Sequence, residues 1–134
     1  MQFTANFEYL DEIRDFVGDI ARNGKFSDKD VYNIQLAADE AASNIIEHAY
    51  EGVSNGVLEI SCGIKGNELT IILVDNGKSF DPSEVPLPNL KADLSERQIG
   101  GLGLYLMRKL MDEVQYETDP KNKRNTLKLI KRRG

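Results

Sequence analysis

The chain has 134 residues, a formal net charge of -5 at pH 7, 40% hydrophobic residues and 29% charged residues. This length predicts one domain over residues 1–134, and the composition is that of a globular protein rather than a disordered one. The acidic balance argues against direct binding to nucleic acid, which requires clustered Lys and Arg. A basic run between Lys121 and Arg133 is interpreted as a solvated strand edge and tail.

The numbers of cysteine and histidine residues argue against a disulfide-bonded protein and against a zinc-binding protein. The single cysteine, Cys62, cannot form an intrachain disulfide, and the single histidine, His48, leaves no set of zinc ligands. Residues 1–8 lack the features of a signal peptide, and no apolar stretch approaches the roughly 20 residues that span a bilayer. We therefore expect a cytoplasmic protein with no membrane span and no structural metal.

The first part of the chain reads as a strand followed by a helix. Residues 3–7 alternate between apolar and polar side chains, which predicts a half-buried opening strand. From Leu10 to Ala21 apolar residues recur every three or four positions, which predicts an amphipathic helix that ends near Gly24.

A second helix is predicted from its start signals. Ser27 can cap it, Asp30 follows three residues later as in a capping box, and Phe26 can contact Val31 as a hydrophobic staple. We expect this helix to run to about Ala49.

The second half of the chain is dominated by strands. Residues 58–64 alternate, and residues 65–67 form a turn. Residues 69–74 are almost entirely apolar and predict a central strand, covered on both faces, that pairs back across this hairpin and ends at Asp75. A loop over residues 75–103 is longer than compact domains usually tolerate unless it is functional.

The chain closes with one helix and two strands. Apolar residues over 104–111 predict a third helix, and residues 114–117 and 126–130 predict two strands joined by a turn. Five strands and three helices in one small chain predict a two-layer α/β (α+β) sandwich, with a mixed, mostly antiparallel sheet and the helices on one face.

Three groups of residues could carry chemistry, and each has a second interpretation. Glu40, Asn44 and His48 lie four apart on the second helix, so they form one stripe. A carboxylate can take a proton, and an amide oxygen can hold a hard cation. The same residues are also typical of a solvated helix face, and His48 is interpreted as structural or as a residue at the solvent edge.

The other two groups lie in the long loop and at its ends. Asp75 and Gly77 follow the central strand, where a carboxylate could accept from an exocyclic amine and a glycine could admit a flat ring; the alternative is an ordinary turn. Residues 100–104 form a glycine-rich helix start, where backbone N–H groups could bind phosphate; the alternative is a hinge.

In this order and spacing, the motifs resemble those of the Bergerat-fold (GHKL) ATPases, the superfamily of gyrase, Hsp90, histidine kinases and MutL. The quoted motifs are Glu40-Ala-Ala-Ser-Asn44, Asp75-Asn-Gly77 with Phe80-Asp81-Pro82, Gly101-Leu-Gly103-Leu104, and Asn125-Thr126. The chain is most similar to the anti-sigma-factor serine kinases of bacterial partner-switching systems, and the resemblance covers nearly its whole length.

The resemblance implies ATP and Mg²⁺ as cofactors and a role for each matching residue. Glu40 would be the general base, Asn44 the magnesium ligand and Asp75 the acceptor for the adenine amine. Residues 82–99 would form the ATP lid, in which Arg97 could reach a phosphate or a partner. The remaining nucleotide contacts would be Gly77 against adenine, Gly101, Leu102, Gly103 and Leu104 at the phosphates, and Thr126 at the adenine end.

The chain departs from the superfamily at two places. Ser79 stands where a second glycine is frequent, and Arg124 and Asn125 stand where a glycine commonly precedes the closing threonine. Neither departure touches Glu40 or Asn44.

The resemblance implies a protein serine/threonine kinase that phosphorylates an anti-sigma-factor antagonist and sequesters a partner such as a sigma factor. Homodimers are usual in this family. The alternative is a binding module that uses ATP to set its shape and captures its partner without phosphotransfer. The presence of Glu40 favours the kinase hypothesis, because a binding module that does not transfer phosphate needs no general base.

Overall fold

A computed structural model describes residues 2–4, 7–46, 57–76, 106–119, 121 and 124–133 of the chain. Residues 106–110 are helical. Within the described ranges, no helix is long and apolar enough to cross a membrane. The other elements, in chain order, are β1 (Gln2–Thr4), a 3₁₀ turn (Phe7–Tyr9), α1 (Leu10–Asn23), α2 (Asp28–Asn44), β2 (Val57–Lys65), β3 (Glu68–Asp75), β4 (Glu113–Asp119) and β5 (Arg124–Arg132).

The opening strand is shorter than predicted, because Phe7 begins the 3₁₀ turn instead of ending β1. The apolar stripe of α1 packs as predicted, with Ile13, Val17 and Ala21 fully buried. The alternation of residues 3–7 therefore marked the start of the sheet but not its length.

The end of α1 is a Schellman motif built around a lysine. The Phe26 N–H donates to the Ala21 carbonyl (3.1 Å), the Lys25 N–H donates to the Arg22 carbonyl (3.0 Å), and Lys25 has φ of 63°. Gly24, with φ of -81°, is not the left-handed residue. A Cβ at Gly24 would lie 2.1 Å from Ile64 Cδ1, so a larger residue here would require the Ile64 side chain of β2 to move.

The start of α2 follows the prediction. The Ser27 side chain accepts from the Asp30 N–H at 3.1 Å, and Phe26 and Val31 are both buried in the core. Residues 45–46 continue in a wider, π-type turn after Asn44. The expected end near Ala49 lies outside the described residues.

The described strands form a five-stranded sheet in the order β1-β2-β3-β5-β4, and all four pairings are antiparallel. A two-residue turn joins β2 to β3, and Gly66 occupies its first position with φ of 63°, as type II′ hairpins require. The register places Asp75 opposite Leu58 on β2 and opposite Asn125 on β5.

One face of the sheet, called here the inner face, carries the helices. Its apolar side chains share a single core with α1, α2 and the helical residues before β4. Alternation leaves Thr70, Ile72 and Val74 on the outer face, where they are only half-buried. The expectation that β3 is covered on both faces is therefore wrong, because the described helices pack on one side. The inner-face core residues of the strands are Leu58, Ile60, Leu69, Ile71, Leu73, Leu127 and Leu129.

The basic residues at the end of β5 bind other elements of the fold. The Arg133 backbone N–H donates to the Asn67 carbonyl, and its guanidinium donates to the Gly24 carbonyl, each at 2.7 Å. Lys131 Nζ donates to a backbone carbonyl at the end of the helical residues before β4 and lies 3.9 Å from the Asp30 carboxylate. This part of the basic run is therefore an anchor for the helices rather than a solvated edge.

Candidate nucleotide site

A buried polar pair lies on the inner face of the sheet, at the carboxyl end of β3. The Asn125 side-chain amide donates to Asp75 Oδ1 at 2.9 Å, and both residues are 3% exposed. They are directly opposite each other in the register of the two central strands. A carboxylate is costly to bury without a donor, so this hydrogen bond makes the position of Asp75 possible.

Asn125 is the residue that the sequence prediction missed at this position. Thr126 was expected at the adenine end, but alternation along β5 places it on the outer face, opposite Val74. The structure brings Asn125, and not Thr126, against Asp75. The alternation of Leu127 and Leu129 with Thr126 and Lys128 is the sequence signal that could have identified Asn125.

The direction of α2 follows from its contacts at the anchored end of the sheet. Gly24 lies against Ile64 and Asp30 lies near Lys131, so α2 begins at the β2–β3 hairpin end. It spans about 21 Å from Asp30 to Asn44 at about 1.5 Å per residue, while β5 spans roughly 20 Å from Lys131 back to Asn125. By length, α2 can therefore reach the end of the sheet that carries the Asp75–Asn125 pair.

The candidate site also contains the buried polar side chains of the described residues. Among the described residues, the buried polar or charged side chains are Asn44, Asp75 and Asn125, at 4%, 3% and 3% exposure. Fully buried polar groups normally need a structural or functional reason. Asp75 and Asn125 form a pair at one end of the sheet, and Asn44 is the last residue of α2, so we take these three residues as the candidate site.

Glu40 and Asn44 lie one turn apart on α2, and Glu40 is half-buried. An amide oxygen at the buried position suits a hard cation such as Mg²⁺, and a carboxylate next to it suits proton transfer. Asp75 supplies a buried acceptor at the end of β3. The side-chain types of these three residues therefore fit a magnesium–nucleotide substrate.

Cys62 carries a free thiol on the inner face of β2, where it is partly buried and packs against the core. Burial raises its pKa from 9.0 to about 12, so the thiol stays protonated at neutral pH. This makes Cys62 unsuitable as a nucleophile.

The other predicted site residues lie outside the described part of the chain. They are His48, Gly77, Arg97, Gly101, Leu102, Gly103 and Leu104, together with the lid over residues 82–99. Their roles stay predictions.

Comparisons with known proteins agree with the fold and the motifs. Residues 3–131 match the model of the histidine kinase-like ATPase domain. The chain is 36% identical over 126 residues to the serine-protein kinase RsbW of Bacillus licheniformis, covering 89% of this chain and 77% of that protein. It is 35% identical over 124 residues to RsbW of Bacillus subtilis strain 168, covering 87% and 76%.

A solved structure supports the architecture independently of sequence. The catalytic domain of the histidine kinase ThkA superposes with a TM-score of 0.60 at 15% identity, covering 99% of this chain and 95% of that one. The predicted α/β sandwich of the Bergerat type is thereby confirmed. With the family model matching nearly all of the chain, the chain belongs to the histidine kinase-like ATPase domain family, together with the RsbW serine-protein kinases.

Proposed function

We propose that this chain is an ATP-dependent protein serine/threonine kinase that acts as an anti-sigma regulatory factor. It phosphorylates an anti-sigma-factor antagonist and sequesters a partner such as a sigma factor. The observation that carries this proposal is the 36% identity to a serine-protein kinase over most of both chains. Two features support it: Glu40 and Asn44 one turn apart on α2, and a buried acceptor, Asp75, at the end of β3.

Asp75 is the proposed reader of adenine. An ionised carboxylate accepts hydrogen bonds only, so it attracts the exocyclic amine of adenine and repels the carbonyl that guanine carries at the same position. Asn125 supplies a donor that stabilises this buried acceptor. ATP is therefore the proposed phosphate donor in preference to GTP.

Glu40 is the proposed general base. Its carboxylate takes the proton of the substrate serine hydroxyl as the serine oxygen bonds to the γ-phosphorus, while the bond to the bridging oxygen breaks and ADP leaves. Asn44 is the residue that would hold Mg²⁺ through its amide oxygen. When bound, Mg²⁺ neutralises charge on the phosphate oxygens. A cytoplasmic location and a homodimeric state complete the proposal.

The test begins with the cognate substrate. The partner captured by the chain from its host lysate is identified, purified and incubated with the chain, labelled ATP and Mg²⁺. The wild-type chain is expected to transfer phosphate to it. Glu40→Gln should lower transfer by about 10²- to 10⁴-fold and keep ATP affinity within a few-fold, because the amide cannot take the proton.

Two further variants separate binding from chemistry. Asn44→Ala should lose ATP affinity and transfer together, because it removes the amide oxygen that holds the metal. Glu59→Gln makes the same carboxylate-to-amide change on the exposed outer face of β2, and it should leave both properties unchanged. Transfer at the wild-type rate by Glu40→Gln would exclude Glu40 as the base. Capture of the partner without transfer would support the binding-module alternative.

A further inference from the structure

We infer that Asn125 is a positioning residue for the choice of adenine over guanine: its amide holds the Asp75 carboxylate in the orientation that accepts the adenine amine. The inference rests on the proposed function, because it deepens the role proposed there for Asp75. It adds a role for Asn125, because the resemblance assigned the adenine end to Thr126 only.

The geometry of the pair supports a fixed orientation. The Nδ2 to Oδ1 distance is 2.9 Å, and both side chains are almost completely buried. The two residues are direct cross-strand partners, and the same register continues through the core pairs Leu73↔Leu127 and Ile71↔Leu129. The backbones that carry the pair therefore cannot shift independently of the central sheet.

The chemistry of the pair explains why orientation matters. A carboxylate can rotate about its Cβ–Cγ bond, and an amide can present either its N–H groups or its oxygen to a neighbour. In the observed bond the amide presents N–H to Asp75, which fixes both groups at once. Removing this donor removes a contact that orients the carboxylate, and we expect it to weaken the discrimination between an amine and a carbonyl at the purine C6 position.

The experiment uses a matched pair of variants, Asn125→Thr and Asn125→Val. The two new side chains have the same shape, but only threonine carries a hydroxyl that can donate to Asp75. For each variant the dissociation constants of Mg-ATP and Mg-GTP are measured by titration calorimetry, and the melting temperature is measured without nucleotide. Thr70→Val makes the hydroxyl-to-methyl change on the outer face of β3 and serves as the control.

We expect Asn125→Val to lower the preference for ATP over GTP by about 10-fold or more, mainly through weaker ATP binding, as for the loss of a hydrogen bond to a charged group. Asn125→Thr should keep the preference within a few-fold of wild type, and Thr70→Val should leave both constants unchanged. Should Asn125→Val be too unstable to measure, Asn125→Ser and Asn125→Ala give the same comparison with smaller side chains.

Two results would overturn the inference while leaving the proposed function intact. In the first, Asn125→Val melts at a lower temperature but keeps the wild-type preference, so that Asn125 has a structural role only. In the second, Thr126→Val changes the preference and Asn125→Val does not. A wild-type chain that binds neither nucleotide would instead overturn the proposed function, and this inference with it.

Discussion

The substitution Asn125→Asp tests the buried pair without any nucleotide. It replaces the amide that donates to Asp75 at 2.9 Å by a second carboxylate in the same buried place. The native state loses a hydrogen bond to a charged group, which contributes about 1.5 to 3 kcal/mol, and gains the repulsion of two carboxylates. Together these effects should cost on the order of 3 to 5 kcal/mol, the range typical of a buried charge that is left without its partner.

This loss is large against the free energy of unfolding of a chain of this size, which is on the order of 7 to 20 kcal/mol. With a urea slope of about 2 kcal/mol per M, the unfolding midpoint at pH 7 should fall by about 2 M. The assay is urea unfolding of wild type and variant at pH 7 and pH 5, followed by circular dichroism.

The pH dependence has a defined sign. Two carboxylates in contact raise the pKa of the pair in the folded state above the value of about 3.9 for an unfolded aspartate. Between these values the native variant binds more protons than the unfolded variant, so its stability falls as pH rises. The deficit relative to wild type should therefore shrink as the pH is lowered from 7 to 5.

The double variant Asp75→Asn/Asn125→Asp is the matched control. It restores one amide–carboxylate hydrogen bond with donor and acceptor exchanged, so it should regain most of the lost stability. A wild-type unfolding midpoint for Asn125→Asp at pH 7, or an exchanged pair as unstable as the single variant, would show that this hydrogen bond does not stabilise the fold.

Two further predictions concern the rest of the fold. Lys25→Gly should raise the melting temperature by a few degrees, because an L-residue in the left-handed region costs about 1 to 2 kcal/mol, partly offset by the larger entropy of glycine in the unfolded chain. A lower melting temperature would show that φ of 63° is not strained here. Cys62, with a pKa of about 12, should react slowly with iodoacetamide at pH 8 in the native state and quickly in urea, and equal rates would contradict its burial.

The sequence predicted most of the fold because hydrophobic periodicity directly reports which residues face the core. Ser27 and the stripe of α1 were sufficient to define the two helices, and the hairpin turn was placed correctly. Periodicity failed for β3, where residues 69–74 are apolar on both faces. Only the packing of the helices decides which face is covered.

The candidate site was predicted in part, for reasons that the two central strands make clear. Asp75 and Asn44 were identified from their motifs, and the structure buries both. Asn125 was missed because the motif pointed to a threonine, while the face of a strand residue depends on its parity alone. The predicted end of α1 near Gly24 is confirmed, and the left-handed conformation that ends the helix lies at the next residue, Lys25.

The anchored end of the sheet, where Arg133 and Lys131 bind the helices, lies roughly 20 Å along β5 from Asn125. Free-energy effects of substitutions more than about 10 Å apart usually add without coupling. Stability gained at the anchored end can therefore offset stability lost through substitutions at the proposed site. Substitutions at the two ends can in this way accumulate independently, and the anchored end sets how much destabilisation the chain tolerates at the proposed site.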